Sequence, residues 1–181
     1  EVMTRLRMVL PVYFVLTKCD LIAGFTEFYG DLKKSARGQA WGTTLLLNED
    51  KSDPGAIFAR EFDMLVSNCH GRAIARLAYE RNREAREALF HFPLEFAGIK
   101  QSLRELISQV FMVNAFQGTP ILRGVYFTSG TQEGTPLNRV LARMGQAMGI
   151  QPHRQNQQPR VESKSYFLRD VFTKVVFPDA D

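Results

Sequence analysis

Leu10-Pro-Val-Tyr-Phe-Val-Leu-Thr-Lys-Cys-Asp20 runs from apolar and β-branched side chains straight into polar ones. A short run of that kind, closed by a polar turn, reads as a strand buried on both faces, the type that parallel sheets use. The next apolar positions, Leu21, Ile22, Phe25, Phe28, Tyr29 and Leu32, follow helical spacing, with Asp20 where an N-cap would stand. The unit is strand, loop, helix. It recurs once: Ile121-Leu-Arg-Gly-Val-Tyr-Phe-Thr128 is a second strand and Ser129-Gly-Thr-Gln-Glu-Gly134 its turn. Thr135 as N-cap, Pro136 at the first helical position, Leu137, Val140, Leu141, Met144 and Met148 as apolar stripe and Gly149 as stop then predict a helix.

Between the two units the pattern is helical. From Lys33 to Ser52 periodicity weakens, which predicts a long connection with room for a short strand near Trp41 to Leu47. Asp53-Pro54 then has the form of an N-cap and first helical proline, and Phe58, Phe62, Leu65, Val66, Cys69, Ala73 and Leu77 predict one long helix reaching Leu89. After Phe92-Pro93, the positions Phe96, Ile99, Leu103, Leu106, Ile107 and Val110 predict a second, completing a helical hairpin. Arg76 to Glu87 alternates charge at helical neighbour distances, which fits a solvated, self-paired face better than a nucleic-acid surface. Gln151 to Ser163, rich in Gln, Pro and Arg, reads as a linker, and Tyr166 to Val175 as a last amphipathic helix.

The resulting division is a strand-helix unit over 1–35, a connection with helical insert over 36–115, a second strand-helix unit over 116–150, a linker over 151–164 and a closing helix over 165–181. Two strands cannot form a stable parallel sheet alone, so further strands are expected upstream of Glu1. The chain, which begins without Met, is expected to be a piece of a longer one. The expected fold class is α/β, the C-terminal part of a doubly wound nucleotide-binding domain with a helical hairpin insertion and a helical extension.

With 45% hydrophobic side chains the chain can bury a core, and its apolar runs fall short of the roughly 20 residues that a membrane helix needs. The net charge of +4 permits nucleic acid without indicating it. Cys19 and Cys69 offer neither a zinc template nor a disulfide framework. His70, His91 and His153 are scattered away from metal-ligand spacing, and Ser129 lies in no nucleophile elbow. Phe90, Phe92 and Phe96 are core by spacing, or else a contact patch near the hairpin turn.

In doubly wound sheets ligands sit beyond the carboxyl ends of the strands. There, Thr17-Lys-Cys-Asp20 matches [Asn/Thr]-Lys-x-Asp, the base-recognition motif of GTPases, in which a carboxylate accepts two hydrogen bonds from the guanine edge and the lysine stem covers the ring. The competing reading makes Asp20 a helix cap and Lys18 a solvated cation. Thr128-Ser-Gly130 is a looser match to the Ser-Ala element of the same proteins, Gly130 replacing alanine. The sequence holds no Gly-x-x-x-x-Gly-Lys-[Ser/Thr] loop and no clear magnesium aspartate, so alone it is not expected to be a competent NTPase.

The segments Leu10–Gly30, Gly118–Gly134 and Ser165–Phe172 resemble the cytoplasmic domain of the IcmF-like (TssM) family of type VI secretion proteins. The resemblance implies a bacterial inner-membrane protein whose GTPase-like domain stands on the cytoplasmic side. It implies TssL and the lipoprotein TssJ as membrane-complex partners, baseplate proteins TssK and TssG as cytoplasmic ones, and self-association in the complex. Thr17, Lys18, Asp20, Ser129 and Gly130 would be the nucleotide-base residues, with GTP or ATP and magnesium belonging to the parent domain and no cofactor to this piece alone. Two functions follow as expectations. The first is a structural and coupling module whose charged hairpin, through Arg83, Arg86 and Phe92, meets partner proteins; the second is that the parent domain is a nucleotide-dependent switch or a P-loop GTPase-like NTPase whose guanine-base site this piece supplies.

Overall fold

The computed structural model describes residues 11–45, 53–112, 120–131 and 164–178. Its principal sheet has three strands, Pro11–Leu16 (β1), Gly42–Thr44 (β2) and Ile121–Phe127 (β3), in the order β1-β3-β2. β1 and β3 are parallel, with Pro11 opposite Ile121 and Leu16 opposite Phe127; β2 is antiparallel to β3. The parallel pair is the one read from the two apolar runs. β3 has a neighbour on each side, and Val125, Tyr126 and Phe127 are buried. β1, expected to be buried on both faces, is instead half-buried, because among the described residues it has a strand on one side only.

β2 is the short strand for which the connection left room, and it joins the sheet from within the chain. Its entry depends on Gly42, where φ is 155° and a Cβ would collide with the Val125 carbonyl oxygen and lie 2.7 Å from Tyr126 Cα. Trp41 and Leu45 extend the pairing past the strand ends, Phe127 N donating to Trp41 O (2.8 Å) and Leu45 N to Arg123 O (2.8 Å).

Phe25–Tyr29 (α1) and Lys34–Arg37 (α2) are short, and the insert comprises Pro54–Leu77 (α3), Arg83–Gly98 (α4) and Lys100–Val110 (α5). α3 begins as expected: Pro54 is its first residue and Asp53 Oδ1 accepts from Ala56 N at 2.9 Å. It ends at Leu77, short of the expected Leu89. The charged stretch after it forms caps where a continuous helical face was expected. Asn82 Oδ1 accepts from Ala85 N (3.0 Å) to start α4, and Glu80 Oε1 accepts from the amides of Arg81 and Asn82 (2.9 Å each). Arg86 donates to the carbonyls of Leu77 (2.7 Å) and Glu80 (2.9 Å), satisfying the free end of α3. The expected break at Phe92-Pro93 is also absent, since Pro93 lies inside α4 and the chain turns at Gly98-Ile99. The two-helix hairpin is therefore three helices, with α3 packed on both α4 and α5.

The closing helix expected over Tyr166 to Val175 is present only in its later part, from Arg169 onward, and is preceded by a strand. Lys164–Tyr166 (β5) pairs antiparallel with Ser129–Thr131 (β4), and Val171–Val176 forms a π-helical turn. Tyr166 and Phe167 are adjacent and both buried, which one narrow helical stripe cannot achieve. Phe167, at φ 61°, makes the bend, and its amide donates to Arg37 O at 2.6 Å while that of Asp170 donates to Gly38 O at 2.9 Å. The helix read over 135–149 and the linker over 151–163 lie outside the described residues. No helix among the described residues is long and apolar enough to cross a membrane.

Asp170 lies beneath Arg169 Nε and Lys174 Nζ, each 2.7 Å away. Hydrogen bonds from Arg169 first and Lys174 second hold its carboxyl below the ordinary 3.8. A carboxylate whose folded pKa is depressed contributes stability above its unfolded pKa and loses it as pH falls through the folded value. Amide exchange at Phe167 and Asp170 is therefore expected to quicken relative to β3 below about pH 3.8, and Asp170→Asn to abolish that difference.

Candidate functional site

The carboxyl ends of β1 and β3 are stitched together by Thr128. Its amide donates to Leu16 O (2.7 Å), its buried hydroxyl to the same oxygen (3.0 Å), and its carbonyl accepts from Cys19 N (3.1 Å). Thr17 and Lys18 leave β1 exposed to solvent. Lys18 is left-handed, at φ 58° and ψ 35°, a conformation that costs a non-glycine residue on the order of 1 kcal/mol and that recurs at functional sites. It feeds a single 3-10 turn, Cys19–Leu21, which carries Asp20.

Asp20 does not cap a helix. α1 starts five residues later, with Gly24 at its N-cap position. Instead Asp20 Oδ1 accepts a hydrogen bond from the Ser129 hydroxyl, so two residues 109 positions apart in the chain meet. Ser129 is buried and opens β4. A carboxylate offers about four acceptor positions, so this bond orients the group and leaves capacity for a ligand. Gly130 follows with no atom within 4 Å of where a Cβ would stand, so the departure from alanine there is not forced by space.

Beside the turn lies a recess of about 400 Å³ walled by Leu16, Ile22, Ile99 and Leu103, with Lys18 on its lining. Among the described residues, neither Asp20 nor Ser129 lines it. Cys19, which also faces this recess, and Cys69, 3.8 Å from the Tyr29 hydroxyl, are free, buried thiols pushed up to about 11 by desolvation. Both stay protonated near neutral pH and are poor nucleophiles there. His70 and His91 are exposed. No group of three or more His, Cys, Asp or Glu among the described residues could hold a metal.

The three residues expected to form a contact face separate. Arg83 is exposed. Arg86 is exposed but committed to the carbonyls that close α3. Phe92 is wholly buried, 4.4 Å from the Phe28 ring centroid and stacked on Phe96, so it cannot meet a partner. Leu89, Phe92, Pro93 and Phe96 share the core stripe of α4, which turns Phe90 outward at 59% exposure. Tyr79, at 87%, marks the turn between α3 and α4.

The Thr128 stitch and the Tyr166-Phe167 anchor were missed by sequence reasoning. Thr128 is an ordinary residue at a strand end. Nothing in the local pattern marks Phe167 for a left-handed backbone.

The curated relatives include the type VI secretion system component TssM1 of Pseudomonas aeruginosa, 38% identical over 179 residues that cover 98% of this chain and 16% of that protein. The chain thus spans a small fraction of that relative. No solved structure matches this chain. The family model of the IcmF-related N-terminal domain matches residues 1–181, and by that full-length match the chain belongs to the IcmF-related N-terminal domain family.

Proposed function

We propose that this chain is a structural and coupling module of a type VI secretion complex in the bacterial inner membrane, standing on its cytoplasmic side. Its contacts there are with TssL and TssJ of the membrane complex and with TssK and TssG of the baseplate. The observation that carries the reading is the helical insert. Its inner stripe is taken up by α1, the sheet edge and the insert's own helices, while Ile74, Tyr79, Phe90 and Arg83 remain exposed on α3, α4 and the turn between them. Large exposed apolar groups of this kind are interface material. In the full-length protein, combined Tyr79→Asp, Phe90→Asp and Arg83→Glu is expected to lower capture of TssL or TssK at least about tenfold with unchanged circular dichroism. Undiminished capture of every one of these partners would remove the insert as the coupling surface.

One observation favours a second reading, a nucleotide-dependent switch on a GTPase-like frame. Asp20 and Ser129 meet at the carboxyl edge of a parallel strand pair, where such sheets bind ligands. These residues suit a guanine base: Asp20 retains acceptor capacity and Lys18 supplies an exposed stem. When bound, GTP and magnesium would supply the phosphate chemistry, and this chain's residues would fix the base. Calorimetric titration of GTP, GDP and ATP with magnesium into the full-length protein tests it. Guanine-selective binding lost in Asp20→Ala is the expected result; equal binding in that variant would reject a base role for Asp20.

A further inference from the structure

We infer that the segment Lys164–Val176 is a strap that holds the two halves of the Asp20–Ser129 site together, so that its detachment uncouples them while the three-stranded sheet stays folded. As regulation of a ligand site, the inference rests on the base-site reading above. The strap itself rests on contacts that need no ligand.

The strap grips both halves by different means. On the Ser129 side it does so by backbone, with Tyr166 opposite Ser129 and Ser165 opposite Gly130 in the β4–β5 ladder. On the Asp20 side it does so by rings. Phe25 opens the helix that follows the Asp20 turn, and Tyr166 and Phe167 meet it edge-on at centroid distances of 5.5 and 6.5 Å. Phe167 also packs 4.8 Å from Tyr29 and 5.3 Å from Trp41. Beyond the rings, the carbonyls of Arg37 and Gly38 receive the amides of Phe167 and Asp170, and Arg37 lies 5.5 Å over the Tyr166 ring.

The strap shares no ladder with β1, β2 or β3. A two-stranded ladder of three residues is marginal by itself, so it holds only while its rings stay seated. The hold is therefore separable from the sheet, and load applied beyond Val176 reaches Ser129 through three paired residues. That is the wiring of a site whose two halves respond to tension or to a partner on the carboxyl-terminal segment.

Amide exchange of the 181-residue chain without nucleotide tests this in two full-chain variants. Ser165→Pro breaks the ladder at an exposed side chain, and Asp170→Ala removes the anchor of the following turn. The informative amides are those of Cys19, Leu21 and Ile22, which make no bond to the strap. They are expected to exchange about tenfold faster in both variants while Val125 and Phe127 keep their protection. Unchanged exchange at Cys19 to Ile22 would overturn the inference, as would equal loss in β3. Failure of nucleotide to bind the wild type would sink the base-site reading and leave these results standing. Unchanged exchange would sink the strap even where nucleotide binds.

Discussion

Phe92→Ala is expected to destabilise the chain by about 3–5 kcal/mol, the usual cost of emptying a buried phenylalanine site, and to lower the melting temperature by roughly 10 °C or more. The ring is wholly inaccessible and lies among those of Phe25, Phe28, Tyr29, Trp41 and Phe96, with centroids between 4.4 and 6.4 Å. Such a cluster sits between α1, α4 and the edge of the sheet, and its rigid rings refill the space poorly. Phe90→Ala, two positions away on the same helix, removes a ring that is 59% exposed and should shift stability by less than about 0.5 kcal/mol. Thermal melts of the two variants side by side decide whether α4 is oriented as described. Equal effects would mean that it is rotated.

Gly24→Ala is expected to cost about 2–4 kcal/mol, from two sources that add. Gly24 has φ 81° and ψ −2°, a left-handed conformation that charges an alanine about 1 kcal/mol or more. Its Cβ would stand 2.6 Å from the carbonyl oxygen of Ala88 and 3.2 Å from Phe92 Cβ, so α1 and α4 would have to part, at about 1–3 kcal/mol for overpacking. Gly71→Ala is the contrast: in mid-α3, with nothing within 4 Å of the new methyl group, it should stabilise by up to about 1 kcal/mol. Urea denaturation separates the two by midpoints moving in opposite directions with little change in slope.

The sequence made those features legible whose cause is local or periodic. The apolar runs at Leu10 and Ile121 identified the strands that pair in parallel, and Asp53-Pro54 identified the start of α3. The residues after each strand identified Asp20 and Ser129, which the fold brings into contact. Illegible features depend on partners distant in the chain or on a single dihedral angle. Past Leu77 the next positions of the stripe are the charged Glu80, Arg81 and Glu84, which suit a solvated helical face as well as a helix end, and the caps from Asn82, Glu80 and Arg86 decide for the end. β2 has three residues, too few for an alternation to register. Phe92 was misassigned because a phenylalanine near a charged turn looks alike whether it faces in or out; burial follows from Phe28 and Phe96, which flank it in space.

The parallel ladder also sets the order in which the molecule can be made. Leu16 pairs with Phe127, so β1 emerges from the ribosome 111 positions before the last residue of its partner strand. At about 5–20 residues per second, that interval lasts roughly 6–20 s, during which β1 waits for β3 while the helices of the insert form and collapse locally. Closing so long a loop costs entropy before any ladder bond rewards it, which favours slow, non-local folding. The β1–β3 ladder is thus expected to form slowly beside the helices of the insert.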